Sequence, residues 1–353
     1  MPPPARTLAF DILRRVESGA WASELLLAHS EGLDSRDAGL ASEIVFGVLR
    51  YRAQLDFLIE YFSGRRQKLD VEVRIALRIG IYQLRHLDRI PPHAAVTDSV
   101  DLVKRAHKRS AAGFVNAILR RVHRDPVAWP TREIALSCPE WLLARWEAQF
   151  GAQAAEDIAR AALAEPAKFT RGGRTQDIGA QSIIPLLRLE SGQTFLDLCA
   201  APGNKTAQAL EAGVRAVACD RHFHRLAQMK NLDAGLVLLD GTRPLPFARC
   251  FDRILVDAPC SGTGTLGRNP EAKWRLKASD LPELRTRQVA LLSNARSALA
   301  PGGLLVYSTC SLEYEENGEV VAKSARDSIA ETIQRLPGRD PGDGFFAAVI
   351  KSD

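Results

Sequence analysis

Apolar residues recur at helical spacing through the first third of the chain. They repeat every three or four positions over residues 40–62 and again over residues 73–84. Pro91 and Pro92 interrupt the repeat, and the apolar positions after them predict a further helix. The period-two alternation typical of strands is absent from residues 5–124. The pattern therefore predicts an all-α bundle of five to seven helices.

The helical pattern continues over residues 126–166, where Pro139 and Glu140 begin another helix. A polar, glycine-containing stretch over residues 165–180 then predicts a domain boundary. The predicted divisions are a helical domain, a helical linker and a third domain with a different pattern, over residues 1–130, 131–176 and 177–353.

Short apolar runs alternate with helical segments from residue 194 to the end of the chain. This alternation predicts a doubly wound, mostly parallel α/β sheet of the Rossmann-like class. Strands are predicted over residues 195–198, 215–219, 236–239, 254–256, 304–307 and 345–350. Helices are predicted over residues 205–211, 225–231, 280–299 and 315–326.

Positive charge is concentrated in the first third of the chain. The whole sequence has 47 Lys and Arg and 42 Asp and Glu, a net charge of +5, and residues 1–130 hold 20 and 15 of these. Residues 104–124 contain no Asp or Glu. This asymmetry predicts a surface that binds a polyanion such as RNA, although a merely solvated helical face would look the same. The candidate RNA-binding residues are Lys104, Arg105, Lys108, Arg109, Arg120, Arg121 and Arg124.

No apolar run approaches the length of a membrane span, and the first residues lack the apolar core of a signal peptide. The six cysteines form no CxxC pair and have no histidine at zinc-site spacing. We therefore expect a cytoplasmic monomer with free thiols, no bound metal and no membrane attachment.

Two predicted strand ends deliver a cysteine each. The strand at 254–256 leads into Asp257 and Cys260, and the strand at 304–307 leads into Cys310. Because ligands bind at the carboxyl ends of strands in open α/β sheets, these side chains should meet in one crevice. A nucleophile and an accessory acid or base are the roles that such a pair of thiols suits.

The first three strand ends carry the features of a nucleoside-binding site. The first strand leads into the loop at 199–205 and a helix start, whose N–H groups can hold a carboxylate. Asp220 follows the second strand, where it could bind ribose hydroxyls, and Asp240 follows the third, where it could bind an adenine amino group. The ordered set indicates S-adenosylmethionine. The candidate cofactor-binding residues are Cys199, Ala200, Ala201, Pro202, Gly203, Asn204, Lys205, Asp220, Asp240 and Asp257.

The motifs DLCAAPGNKT, LLDGT, DAPCSGTG, STCS and GDGFF occur in this order. In this respect the chain resembles the Sun family of RNA cytosine-5 methyltransferases, and it is most similar to the members that join a NusB-like helical RNA-binding domain to the catalytic domain. Residues 6–124 resemble the helical module and residues 177–351 the catalytic domain. The resemblance implies S-adenosylmethionine-dependent methylation of C5 of a cytosine in 16S ribosomal RNA, through a covalent adduct between a cysteine and C6.

The resemblance also implies a role for each of four side chains. Cys310 would be the nucleophile, and Cys260 would assist release of the methylated product. Asp257 would hydrogen-bond the N3/N4 edge of the cytosine. Lys205 would reach the same base or help to keep a thiolate charged. The target base would have to be single-stranded or flipped out of a duplex.

The chain departs from the family pattern at two places. Asn204 replaces the usual second glycine, so we expect a residue at positive φ that places its side chain beside the cofactor. The small subdomain resembling an RNA-recognition motif is expected to be mostly deleted, with residues 168–171 as its first strand and residues 176–177 as its exit. Methylation of a tRNA cytosine, or a non-catalytic role in RNA binding or ribosome assembly, are the alternative functions.

Overall fold

The computed structural model describes residues 3–30, 32–64 and 68–352, and it divides into two units. The first unit contains Met1–Glu165 together with Gly267–Trp274, and the second contains Pro166–Leu266 together with Arg275–Asp353. The inclusion of Gly267–Trp274 in the first unit was not predicted from the sequence. Among the described residues, no helix combines the length and apolarity that crossing a membrane requires.

The first unit is built of α-helices. Within residues 3–124 the described helices number seven, in agreement with the predicted bundle. The helices are α1 Pro4–Glu17, α2 Ala22–His29, α3 Ser35–Arg50, α4 Arg52–Ser63, α5 Val71–His86, α6 Pro92–Arg105, α7 Ala112–Leu119, α8 Arg132–Ala135, α9 Glu140–Phe150 and α10 Ala152–Ala161.

Local sequence explains where several of these helices begin and end. The carboxylate of Asp34 accepts hydrogen bonds from the first N–H groups of α3, and proline occupies the first turn of α1 and of α6. Gly64 ends α4 at a φ of +71°. The apolar faces form one core that includes Ile44, Leu55 and Leu77. Burial of each such side chain contributes about 1.5–3 kcal/mol.

The segment Gly267–Trp274 is held in the first unit through helix ends. The Glu271 carboxylate accepts from the N–H of Ala22, the first residue of α2 (2.8 Å). The Lys273 ammonium donates to the carbonyl of Arg50, the last residue of α3 (3.0 Å). An anion at a helix N-terminus and a cation at a helix C-terminus each complement the helix dipole. Two buried charges therefore attach this segment to the bundle.

The second unit contains a seven-stranded sheet with the strand order β5-β4-β3-β6-β7-β9-β8. Its strands are β3 Thr194–Asp197, β4 Arg215–Asp220, β5 Ala234–Leu238, β6 Phe251–Asp257, β7 Leu299–Thr309, β8 Ile329–Arg335 and β9 Phe345–Lys351. The chain's later helices are α11 Ile178–Gln181, α12 Asn204–Leu210, α13 Phe223–Leu226, α14 Ala272–Arg275, α15 Leu281–Ala298 and α16 Gly318–Ala325.

The predicted Rossmann-like sheet is confirmed. Strands β3 to β7 pair in parallel, and β9 pairs antiparallel with both β7 and β8. The chain adds β4 and β5 on one side of β3 and then crosses to place β6 on the other side. This change of direction opens a crevice at the carboxyl ends of the central strands, where ligands of such sheets bind.

A short hairpin precedes the sheet. It pairs β1 Thr170–Arg171 with β2 Arg174–Thr175, and the connection is the dipeptide Gly172-Gly173 with both φ angles positive. The sequence predicted a deletion at this place. In the described structure, the two-residue strand β1 is followed directly by the Gly172-Gly173 turn and by β2.

Candidate active site

The two cysteines predicted to act together are in contact. Strand β6 ends at Asp257 and β7 at Thr309, and their parallel register sets Asp257 beside Ser308. The loops that follow bring the Sγ atoms of Cys260 and Cys310 to 3.4 Å. Residues 50 positions apart in sequence therefore present two thiols at one edge of the sheet.

The environment of Cys260 favours its protonated form. Its pKa is raised well above the usual range by the hydrogen bond with Cys310, by burial, and by negative charge on Cys310 and Glu316. A thiol that keeps its proton at neutral pH is a poor nucleophile but can act as an acid. A protonated Cys260 agrees with the accessory role that the resemblance implied for it.

Lys205 and Asp257 form an ion pair beside the thiols. The ammonium of Lys205 lies 2.7 Å from one carboxylate oxygen of Asp257, and the Ser308 hydroxyl donates to the other at 2.8 Å. Burial opposes the charge of Lys205, but the carboxylate of Asp257 outweighs it and the pKa of Lys205 is raised. A permanent cation therefore lies next to the cysteine pair.

The loop after β3 makes a left-handed turn immediately before α12 begins. Gly203 has a φ of +98°, and a Cβ there would come within 2.9 Å of the Met229 side chain. The Ala201–Pro202 peptide is cis. Glycine is thus required at 203 for conformation and for space.

The expectation for Asn204 is wrong. Asn204 is the first residue of α12 and is not among the residues with positive φ, because Gly203 already makes the left-handed turn. Its side chain does not point into the crevice. Its amide donates instead to the carbonyl of Thr175 in the hairpin, at 3.0 Å.

A cavity of 390 Å³ lies at the carboxyl ends of β3 to β7. Its lining includes both cysteines and five of the predicted cofactor residues, namely Cys199, Ala201, Asp220, Asp240 and Asp257. Five others lie outside its lining, namely Ala200, Pro202, Gly203, Asn204 and Lys205. Lys205 still reaches the cavity wall through its ion pair with Asp257.

The two acids at the far end of the cavity also stabilise their own turns. Asp220 accepts from the N–H of His222 at 2.8 Å. Asp240 accepts from the N–H and the hydroxyl of Thr242, and these bonds lower its pKa. Both carboxylates are thereby held in place as hydrogen-bond acceptors on the wall of the cavity.

Sequence reasoning missed several residues of the site. Arg225, Leu239, Arg287 and Leu291 line the cavity, and Arg225 donates to the Ala201 carbonyl at 3.0 Å. Leu239 lies within the LLDGT motif but was not singled out, whereas Arg225, Arg287 and Leu291 lie outside every motif and reach the site only through tertiary packing. In the part of the chain that the structure describes, no cluster of three His, Cys, Asp or Glu side chains could hold a metal ion.

Acidic residues outside residues 104–124 neutralise part of the predicted RNA-binding stretch. Four of its cations form ion pairs, in the pairs Lys104–Asp101, Arg105–Asp11, Lys108–Asp70 and Arg124–Asp88. Arg121 donates to the carbonyl of Phe62 and Arg120 to the side chain of Asn116. The stretch without Asp or Glu in the sequence is therefore a surface of mixed charge in the fold.

Two family models match the chain. The model described as 16S rRNA methyltransferase RsmB/F matches residues 184–351, and that of the NusB family matches residues 3–124. The ribosomal RNA small subunit methyltransferase B of Citrobacter koseri is 31% identical over 424 residues, with 98% of each protein covered. That of Klebsiella pneumoniae (strain 342) is 32% identical over 423 residues, with 98% of this chain and 97% of the relative covered. Both alignments exceed the 353 residues of this chain and therefore contain gaps in it.

Solved structures show the same fold. The crystal structure of PH0851 has a TM-score of 0.76 and 20% identity, and 100% of both chains is covered. A methyltransferase homologue from Pyrococcus horikoshii has a TM-score of 0.52 and 22% identity, with 63% of this chain and 97% of that one covered. At these identities the likeness concerns the architecture.

Proposed function

Because the chain belongs to the ribosomal RNA small subunit methyltransferase B family, we propose that it transfers a methyl group from S-adenosylmethionine to C5 of a cytosine in 16S ribosomal RNA. The observation that carries this proposal is the contact between the Cys260 and Cys310 thiols, 3.4 Å apart beside the Lys205–Asp257 ion pair. The cavity wall contains these two thiols and the Asp257 carboxylate, and the Lys205 ammonium is paired with that carboxylate.

The residues of the cavity fit a nucleoside cofactor. Asp220 can accept from two ribose hydroxyls, and Leu239 and Leu291 offer apolar surface for a purine ring. Asp240 can accept from an exocyclic amino group. His222 Nδ1 is buried without a hydrogen-bond partner among the described residues, and His222 lines the same cavity. S-adenosylmethionine, when bound, supplies a methyl group on a sulfonium sulfur.

The chemistry requires activation of the pyrimidine. C5 of cytosine is a weak nucleophile, and a thiolate bonded to C6 makes it enamine-like. Cys310 would form the C6–S bond, while Asp257 accepts from the N4 amino group and Lys205 holds negative charge nearby. After C5 is methylated, a base takes the C5 proton, the electron pair of the C5–H bond re-forms the C5–C6 double bond, and the C6–S bond breaks to release the Cys310 thiolate. Cys260 would assist this release from its place 3.4 Å away.

RNA is the substrate class that the NusB-like and methyltransferase units share. The exposed cations of residues 104–124 would bind phosphates without regard to base sequence. The target cytosine would enter the cavity unpaired or flipped.

Bisulfite sequencing of 16S ribosomal RNA tests the proposal. Deletion of the gene should remove the protection of one cytosine, wild-type protein should restore it, and Cys310→Ala should not. An unchanged cytosine profile would contradict the proposal, and a change confined to tRNA would move the activity to that substrate.

A further inference from the structure

A buried carboxylate behind the cysteine pair has no place in the reaction described above. Glu316 ends the short helix Tyr314–Glu316 and has no exposed surface. The hydrogen-bond donors that the structure places on its side chain are all neutral, although burial of a carboxylate is costly without strong compensation. Such a group calls for an explanation.

The carboxylate of Glu316 connects the two cysteine loops. One oxygen accepts from the N–H of Ser261 and from the side-chain amide of Gln288, each at 2.9 Å. The other accepts from the hydroxyls of both Ser261 and Ser311. Ser261 follows Cys260 and Ser311 follows Cys310, so one side chain binds the residue after each cysteine.

The neighbours of Glu316 extend the same connection. Gln288 also donates to the carbonyl of Pro259, the residue before Cys260, at 3.0 Å. Asn317 accepts from the Thr309 hydroxyl at 2.5 Å and donates to the Ser311 carbonyl at 2.9 Å. The residues on both sides of each cysteine are therefore hydrogen-bonded to Glu316 or to a residue that contacts or adjoins it.

The charge of Glu316 acts on the thiol as well as on the loops. Together with the hydrogen bond to Cys310, burial and the charge of Cys310, it raises the pKa of Cys260. The other ionisable groups around the pair are Asp257, Lys205, Tyr307 and Arg287. Glu316 differs from these four groups because its side chain hydrogen-bonds to both cysteine loops.

We propose that Glu316 is a positioning residue whose carboxylate holds the Cys260 and Cys310 loops together and so keeps the two thiols within reach of each other. The proposal rests on the methyltransferase function only for its consequence in catalysis. The arrangement of the thiols is a property of the folded chain and can be measured without RNA.

Alkylation of the full chain by iodoacetamide, followed across pH by peptide mass spectrometry, tests the proposal. Glu316→Gln removes the charge with little change of shape. We expect the pH profile of Cys260 alkylation to move to lower pH by about one unit. At a given pH below the midpoint, this shift corresponds to a roughly tenfold faster reaction. The exposed Cys250 reports the intrinsic reactivity. Glu319→Gln is the matched control, since Glu319 lies on the neighbouring α16 and pairs with Arg285.

Ser261→Ala supplies the opposite perturbation and covers the case in which Glu316→Gln does not fold. It keeps the charge but removes one hydroxyl that stabilises it, so Cys260 should react more slowly than in the wild type. With RNA, both variants should lower kcat about tenfold with KM unchanged. If Glu316→Gln folds and its Cys260 alkylation profile matches that of the wild type, the proposal is overturned. If Glu316→Gln does not fold, an unchanged profile in Ser261→Ala overturns it. If the Cys260 alkylation profiles shift as expected but the wild-type protein does not methylate RNA, the result counts against the methyltransferase function instead.

Discussion

Asp197 shows how the fold alters the chemistry of one residue. It ends β3 next to the loop at residues 199–205 and is 1% exposed, and one of its oxygens accepts from the Thr206 hydroxyl at 2.7 Å. The other oxygen has no hydrogen-bond partner in the described structure. Burial raises the pKa of Asp197 to about 7. The sequence showed an acid at a strand end, but its complete burial depends on β4, β6 and α12 around it.

The raised pKa of Asp197 predicts a pH-dependent stability. Between pH 3.8 and 7 the folded chain keeps a proton that the unfolded chain has released, so the Asp197 carboxyl stabilises the fold at low pH and loses this effect as pH rises through 7. Asp197→Asn should therefore gain about 2–3 kcal/mol of unfolding free energy relative to wild type from about pH 5 to about pH 8. Urea unfolding at several pH values measures this difference.

The exposed Asp233 provides the control for this experiment. Asp233→Asn should follow the wild-type pH profile. A constant difference between Asp197→Asn and wild type across the range would show that Asp197 is ionised in the fold as it is in the unfolded chain.

The sequence predicted those site residues that belong to a recognisable motif directly after a predicted strand. Cys260 and Cys310 follow neighbouring parallel strands, so their meeting could be inferred from order and register. The behaviour of Asn204 could not be inferred, because it depends on Gly203 taking the left-handed turn and on the hairpin lying within reach. Glu316 was missed for a similar reason, since nothing in its local sequence marks it as buried.

At the level of elements, α12 and the hairpin that precedes the sheet are held together. The Asn204 amide bonds the Thr175 carbonyl, and Arg171 pairs with Glu211 just after α12. The hairpin is thus attached at both ends of α12. Its connection is the short Gly172-Gly173 turn.

This arrangement predicts that Asn204 does not set cofactor affinity. Asn204→Gly removes the bond to Thr175 but leaves the cavity lining unchanged. The dissociation constant for S-adenosylmethionine, measured by calorimetry, should stay within about twofold of wild type. Asn204→Asp, which removes the donor but keeps the size, is the matched variant. If Asn204→Gly, but not Asn204→Asp, bound S-adenosylmethionine tenfold more tightly than the wild type, the Asn204 side chain would have to lie in the cofactor site.

Periodicity predicted the helices and central strands because these bury a continuous apolar face. It failed for β8, Ile329–Arg335, whose residues are exposed or half-buried at the edge of the sheet. An edge strand needs no buried face, so its sequence carries a weak signal. The predicted closing strand, by contrast, is almost wholly buried and was found as β9.

At the scale of the whole molecule, one segment belongs to a different unit from the residues on either side of it in the sequence. Gly267–Trp274 follows the Cys260 motif, yet it belongs to the helical unit. Lys273 is fully buried there, and burial lowers its pKa to about 8. Composition and periodicity give no sign of this, since the attachment depends on the ends of α2 and α3.

Lys273 predicts a second pH effect with the opposite sign. Below pH 8 the folded chain must bury the charge, and between pH 8 and 10.5 the unfolded chain retains a proton that the folded chain has lost. Stability relative to Lys273→Met should therefore rise over this interval, by up to about 3 kcal/mol. Urea unfolding followed by circular dichroism measures it, with the exposed Lys230→Met as control. A flat difference would mean that Lys273 stays charged in the fold throughout.

The proposed chemistry rests on different roles for two adjacent thiols. The most direct test is to incubate the single alanine variants with 16S ribosomal RNA and S-adenosylmethionine and to separate the products on a denaturing gel. Cys260→Ala should accumulate a covalent protein–RNA adduct, because Cys310 can still bond C6 but release is impaired, and the double variant should form none. An adduct with Cys310→Ala, or none with Cys260→Ala, would contradict the assignment.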